Sequence, residues 1–203
     1  RRDFTINAMS ISLNKNSFGN LIDPFNGQED LKNKIIKTPL DPNKTFSDDP
    51  LRMFRAIRFS NQLNFKIEKK TLTAIKDNRE RVKILSKERI LEEFEKILIC
   101  KTPSNGLKLL FETGIINIYF KELQDLHGVE TINNHSHKDN FFHTLEVVDN
   151  VRKKSNNIWL TWAALLHDIA KPKTKKYNKK EGWTFHGHEY LGAKMVPRIF
   201  KRL

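Results

Sequence analysis

The stretch SDDPLRMFRAIRFSNQL, residues 47–63, decides how the rest of the chain is read. Leu51, Phe54 and Ile57 recur at the three- and four-residue steps of a helix, and Leu63 extends the same apolar face. Ser47 stands where an N-cap is expected, two aspartates follow in the first turn, and Pro50 falls near the first helical position. Asp49 and Arg52 are three apart and share one face; Arg55 and Arg58 continue in steps of three and wind slowly around the helix. Taken alone, a D-x-x-R is most often a solvated face with local ion pairs. Hydrogen-bond chemistry offers a second reading. A carboxylate only accepts and a guanidinium only donates. Cytosine and adenine present an amino donor beside a ring-nitrogen acceptor, whereas uracil and guanine present a carbonyl beside a ring N–H. An Asp–Arg pair held side by side matches C and A and leaves polar groups unpaired against U and G. The remaining arginines suit phosphate.

Upstream of this helix, residues 1–46 read as mixed α/β. Strand formers over 4–13, turn chemistry over 14–20 and a returning strand at 21–24 suggest a hairpin; a short helix over 27–33 and a strand over 34–38 follow, and Pro39, Pro42 and Asn43 mark a break. Downstream, helices are expected over 68–77, 86–100 and 104–112, so that 47–126 is all-helical. The last part, 127–203, opens with a His-rich loop, continues with helices over 141–153 and 158–170 and, after a Lys-rich turn, ends in a helix. The fold class is therefore mainly α with a small α/β N-terminal remnant, and the expected domains are 1–46, 47–126 and 127–203. Lys and Arg outnumber Asp and Glu by 37 to 24, a net charge of +13, which suits a polyanionic partner such as nucleic acid and also suits simple solubility. One cysteine, Cys100, excludes a disulfide framework, and no long apolar run or signal-peptide pattern occurs. A cytoplasmic protein without a membrane partner is expected.

All seven histidines lie between 127 and 188. His143 opens one predicted helix, the adjacent pair His167-Asp168 closes another, and His186 and His188 follow in FHGHEYLGA. A lone histidine is more often structural, but this set offers nitrogen and oxygen ligands for a first-row transition metal or Mg²⁺. The loop histidines His127, His135 and His137 receive no role. The lysine run 171–183 reads either as an RNA-phosphate contact or as a solvated hairpin tip.

Four motifs in order, RRDFTINA, DPFNGQEDL, DDPLRMFRAIRF and RVKILSKERILEEFEKIL, resemble the successive motifs of the bacterial and eukaryotic class of tRNA nucleotidyltransferases, the CCA-adding enzymes. The histidine pattern resembles the HD phosphohydrolase superfamily, whose domains follow the head in some bacterial members of that family. The resemblance implies the end of a nucleotidyltransferase head, a helical neck and body, and an α-helical HD-type domain. It implies addition of C, C and A to tRNA from CTP and ATP, with tRNA as partner. By position, Arg2 would contact the triphosphate, with Arg1 a weaker candidate, and Asp3 would sense the ribose 2′-OH. Asp49 and Arg52 would be the protein template for the incoming base, and Arg55 and Arg58 would contribute to nucleotide binding. The segment 23–31 would be a flexible link, and Glu88, Arg89 and Glu93 would brace the templating helix. At the second site His143, His167 and Asp168 would be ligands of a divalent metal, with His188 the better and His186 the second of the later pair.

Two departures qualify the match. Asp48 stands where the family usually has Glu, which keeps the charge and shortens the reach. The family's two Mg²⁺ ions are held by a D-x-D pair preceding the RRD motif, and no D-x-D occurs in these 203 residues. Glu93-Phe94-Glu95 has the spacing, but on a helix its side chains diverge. The chain is therefore expected to be an excerpt, inactive in nucleotidyl transfer by itself. The rival functions are a poly(A) polymerase or an A-adding or CC-adding variant on the same scaffold, an HD phosphohydrolase acting on nucleotides or RNA ends, and a non-catalytic tRNA-binding module; the HD fold itself could be vestigial.

Overall fold

The computed structural model describes residues 2–133 and 135–203, and the chain divides into two compact units, Arg1–Phe94 and Glu95–Leu203. It is mainly helical, with eight short strands paired two by two among the described residues. None of these helices is long and apolar enough to cross a membrane.

In the first unit a 3-10 turn over Thr5–Asn7 precedes β1 (Ser10–Ile11), which pairs antiparallel with β2 (Leu21–Ile22). The strand formers expected to extend over 4–13 thus give only two strand residues. Asn7 explains the difference: its side chain accepts a hydrogen bond from Phe4 N–H at 3.1 Å, an interaction that favours a turn over a ladder. Next come α1 (Gly27–Lys32) and β3 (Ile35–Ile36). Asp23 accepts hydrogen bonds from Gly27 and Gln28 N–H at 2.7 and 2.9 Å, so the start of α1 is capped. A Cβ on Gly27 would run into the Thr5 carbonyl, which ties α1 to the 3-10 turn.

The break expected around Pro42 is instead the start of α2 (Pro42–Asp48), with Pro42 in the first turn and Asp41 accepting from Lys44 N–H at 2.9 Å. Ser47 and Asp48 end this helix rather than begin the next. Pro50 disfavours the helical conformation at the residue before it, and Asp49 is accordingly extended, with φ −146° and ψ 99°. The main helix, α3 (Leu51–Leu63), starts two residues further on. Then follow β4 (Lys66–Ile67), parallel to β3, α4 (Lys69–Asn78), a 3-10 stretch over Arg79–Ile84, and α5 (Lys87–Leu98). Phe4, Phe46, Met53, Phe54 and Ile57 are fully buried. Among them lies a charge pair: Arg58 Nε donates to Glu93 Oε2 at 2.6 Å, and Arg58 also reaches Gln62 at 2.8 Å.

The second unit contains α6 (Pro103–Glu112), α7 (Ile115–Tyr119) and α8 (Lys121–Gln124). The His-rich loop holds a small antiparallel pair, β5 (Thr131–Ile132) and β6 (His135–Ser136). Helices α9 (Asn140–Lys154) and α10 (Ile158–Leu166) pack together, and Asp149 on α9 binds both the N–H and the hydroxyl of Ser104 on α6, at 3.0 and 2.6 Å. Trp162 is buried and donates its indole N–H to Glu95 at 3.1 Å. The helix expected over 158–170 stops at Leu166, so His167 and Asp168 leave it in a turn. A short α11 (Lys171–Thr174), the hairpin β7 (Lys176–Asn178) and β8 (Gly182–Thr184), and α12 (His188–Arg202) complete the unit.

Removing one partner of the Arg58–Glu93 pair leaves a buried charge unmatched. Glu93→Ala should destabilise the protein by about 3–5 kcal/mol in denaturant unfolding, whereas replacing both residues by apolar ones of similar volume should cost far less. A loss below about 1 kcal/mol for Glu93→Ala would show that the pair is not a structural anchor.

Candidate functional site

The nucleotide-related residues converge at the α2–α3 junction. A cavity of about 160 Å³ is lined by the charged residues Arg2, Lys44, Asp48 and Arg52 and by the apolar Phe25 and Leu40. Asp3 holds two arginines of α3: Arg55 Nε donates to it at 2.6 Å, and Arg52 Nε lies 3.4 Å from its other oxygen. Arg52 Nε is buried and makes no hydrogen bond among the described residues, an unusual state for a guanidinium. Asp49 and Arg52 do not pair with each other. The Asp49 carboxylate faces Arg89, 3.5 Å from each oxygen, and accepts from Leu51 N–H at 3.2 Å. Arg58 is turned away, into its bond with Glu93. Arg1 lies outside the described residues. Lys44 and Asp48 also line the cavity, two residues that the sequence pattern does not mark for binding; the Asp-Pro dipeptide that splits the helix is the signal that bears on them.

The second constellation is centred on Asp168, whose side chain is 3% exposed. His167 Nε2 lies 3.1 Å from its Oδ2, His188 Nε2 lies 3.5 Å from its Oδ1, and His143 Nε2 lies 3.9 Å from Oδ2. Ligand atoms of His143, His167 and Asp168 all fall within 4.8 Å of one another. His167 and His188 each place Nδ1 2.8 Å from a backbone carbonyl, of Ala164 and Phe185 respectively. A carbonyl only accepts, so Nδ1 carries a proton, and Nε2 faces the carboxylate: protonated, it donates to Asp168, and with that proton lost its lone pair is offered to a cation. The chain supplies one cation itself, the Lys171 ammonium, 2.7 Å from Asp168 Oδ2. Burial alone would raise the Asp168 pKa, but hydrogen bonds from His167 and Lys171 outweigh it and hold the value at about 2. The Asp168 carboxylate in turn raises the His167 pKa. This donor set, a buried carboxylate with anchored imidazoles, fits a divalent cation. His186 is not part of it: its side chain is 85% exposed, and its nearest acid is Glu181 at 3.9 Å. The sequence presents Lys171 as one of a lysine run, and its three-residue offset from Asp168 across a turn is the signal that sets it apart.

Comparison with known proteins matches three segments of the chain to described families. Residues 1–37 match the Poly A polymerase head domain, 64–126 the probable RNA and SrmB-binding site of polymerase A, and 140–203 the HD domain. The chain belongs to the family of the bacterial tRNA nucleotidyltransferases that carry an HD domain. Over its whole length it is 32% identical to the A-adding tRNA nucleotidyltransferase of Deinococcus radiodurans, covering 47% of that protein. It is 35% identical to the multifunctional CCA protein of Haemophilus influenzae, covering 49% of it. It thus spans about half the length of these curated relatives. The crystal structure of the Bacillus stearothermophilus CCA-adding enzyme in complex with CTP superposes with a TM-score of 0.53 at 39% identity, over 56% of this chain and 28% of that one.

His167→Ala or Asp168→Ala should weaken Mn²⁺ binding, measured calorimetrically on the complete protein, by about 100-fold or more, and His186→Ala should leave it unchanged. Equal losses for His186→Ala and His167→Ala would contradict the assignment.

Proposed function

We propose that the complete protein adds C, C and A to tRNA 3′ ends from CTP and ATP in the cytoplasm, and that the first unit selects the incoming base. The observation that carries this reading is Arg52. Its guanidinium lines a cavity while held only by long contacts, 3.4 Å to Asp3 and 3.4 Å to the Thr45 carbonyl, and two carboxylates, Asp48 and Asp49, stand at the same helix junction. Such a guanidinium has donors to offer an acceptor in the cavity, and the ring nitrogen of C or A is one. The Asp49 carboxylate, released from Arg89, accepts the neighbouring amino group. Arg2 supplies charge for the triphosphate, and Asp3, positioned by Arg55, takes the ribose hydroxyl. Arg58 holds α3 through Glu93 rather than touching nucleotide. The carboxylate pair that would hold Mg²⁺ is not among these 203 residues, so they select and place nucleotide but do not complete its transfer.

The same proposal divides the protein into the end of a nucleotidyltransferase head over 1–46, a templating and RNA-binding body over 47–126 and an HD-type domain from 127. In the last of these, His143, His167, Asp168 and His188 would hold a divalent cation, which polarises a phosphoryl oxygen when bound. Lys171 and Asp168 hold the charge balance of that site. A hydrolase acting on phosphoesters of nucleotides or RNA ends is the activity this supports. The match to an A-adding relative favours A-only addition as the second reading of the first unit.

With Mg²⁺, tRNA lacking its 3′ end and each nucleotide singly and combined, the complete protein should incorporate C and then A and refuse U and G. Addition of A only to tRNA ending in CC would select the second reading, and no incorporation would overturn both. His167→Ala should spare nucleotide addition and abolish phosphoester hydrolysis.

A further inference from the structure

The second unit carries a charged surface that the base-selecting and metal-binding readings do not use. Between Lys171 and Thr184 the sequence is KPKTKKYNKKEGWT, six lysines and one acid. The structure sorts these lysines into two groups. Lys171 is engaged by Asp168 at 2.7 Å and Lys175 by Glu130 at 2.5 Å. Lys173, Lys176, Lys179 and Lys180 are exposed and enter no ion pair among the described residues. The single acid, Glu181, lies 3.9 Å from His186.

Aromatic contacts close the hairpin beneath them. Tyr177 pairs with Trp183 across the strands, ring centroids 5.4 Å apart, and the Trp183 indole N–H donates to the His135 carbonyl at 2.9 Å. His137 packs edge-on to Trp183 and to Phe185, at 5.2 and 5.7 Å. Because strand side chains alternate, Tyr177 turns toward this aromatic cluster and Lys176 away from it, while Lys179 and Lys180 crown the turn. Like charges gathered on one hairpin repel one another, and a polyanion lying over them relieves that repulsion. The series starts at Lys171, which belongs to the Asp168 cluster, and runs outward along α11 and the hairpin. It therefore tracks away from the site whose chemistry is directed at phosphoesters.

We propose that α11 and the β7–β8 hairpin form an RNA-backbone contact surface that leads a strand to the Asp168 cluster. The surface is separate from residues 64–126, which match the RNA-binding family model. Its lysines contact phosphates through charge, without reading sequence, and Tyr177 and Trp183 are scaffold beneath them. The proposal rests on the reading that the protein acts on tRNA.

The test uses the complete protein, a fluorescent tRNA transcript and a salt titration. Lys176→Ala/Lys179→Ala/Lys180→Ala should weaken tRNA binding about tenfold near physiological salt and lower the salt slope by about 2–3, roughly one unit for each phosphate that the variant no longer neutralises. The corresponding triple arginine variant should bind as the wild type does, and CTP affinity should be unchanged in both. An alanine variant with wild-type affinity and slope overturns the proposal, as does a weakening that arginine does not restore, which would mark a structural role. Unchanged tRNA binding with reduced binding to phosphatidylserine vesicles would assign the surface to a membrane instead and also overturn it. These readouts are of binding, so they remain decisive even if the complete protein proves to add no nucleotide.

Discussion

Pro50 denies the residue before it a helical backbone, and the corner between α2 and α3 in the first unit follows from that denial. Without the proline, α2 and α3 would run together, and Asp48, Asp49 and Arg52 would spread around one continuous cylinder. With it, Asp49 is extended, the helix is interrupted, and the acids stand at a corner beside the Arg52 guanidinium. The corner can be fixed because α3 is anchored from behind. Arg58 is bound to Glu93, Arg55 to Asp3, and Gly27 lets α1 close against the Thr5–Asn7 turn that follows Asp3.

Each unit contains a nearly buried carboxylate, and the two are solved differently. Glu93 is matched by a guanidinium at 2.6 Å, a directed and charge-assisted bond that leaves little for a ligand to complete. Asp168 is surrounded by three imidazoles and an ammonium, with two of the rings pinned by backbone carbonyls so that their remaining nitrogens face it. The first arrangement is a rivet, and the second gathers nitrogen and oxygen atoms of several side chains around one carboxylate. The same contrast separates Arg58 from Arg52: Arg58 Nε is bonded to Glu93 at 2.6 Å, and Arg52 Nε stands 3.4 Å from Asp3.

Much of this was legible in the sequence. The mainly helical class, most helices and the hairpin over β1 and β2 followed from periodicity and turn chemistry. The approach of His143, His167, Asp168 and His188 followed from a pattern that the fold then closed. What was not legible depended on tertiary partners or on competing local signals. The Ser47 N-cap was plausible until the Asp-Pro junction and the Asp41 cap claimed the preceding residues for α2. The strand formers of 4–13 lost to the Asn7 side chain, which caps a turn. Arg58 looked like its neighbours on the same helix, and only the position of Glu93, 35 residues away in sequence, sets it apart. His186 and His188 are two residues apart, and helix α12 beginning at His188 is what separates an anchored ring from an exposed one.

The central claim is that side chains at the α2–α3 corner, rather than a nucleic-acid template, choose the base. The most direct measurement is the ratio of kcat/KM for CTP over UTP, taken with the complete protein and with its Asp49→Ala variant. A site that selects through buried hydrogen bonds discriminates by several orders of magnitude, so removing the acceptor should collapse the ratio by at least about 100-fold. A variant that slows addition of both nucleotides equally and keeps the ratio would contradict the account, because Asp49 would then support the fold or the chemistry without reading the base.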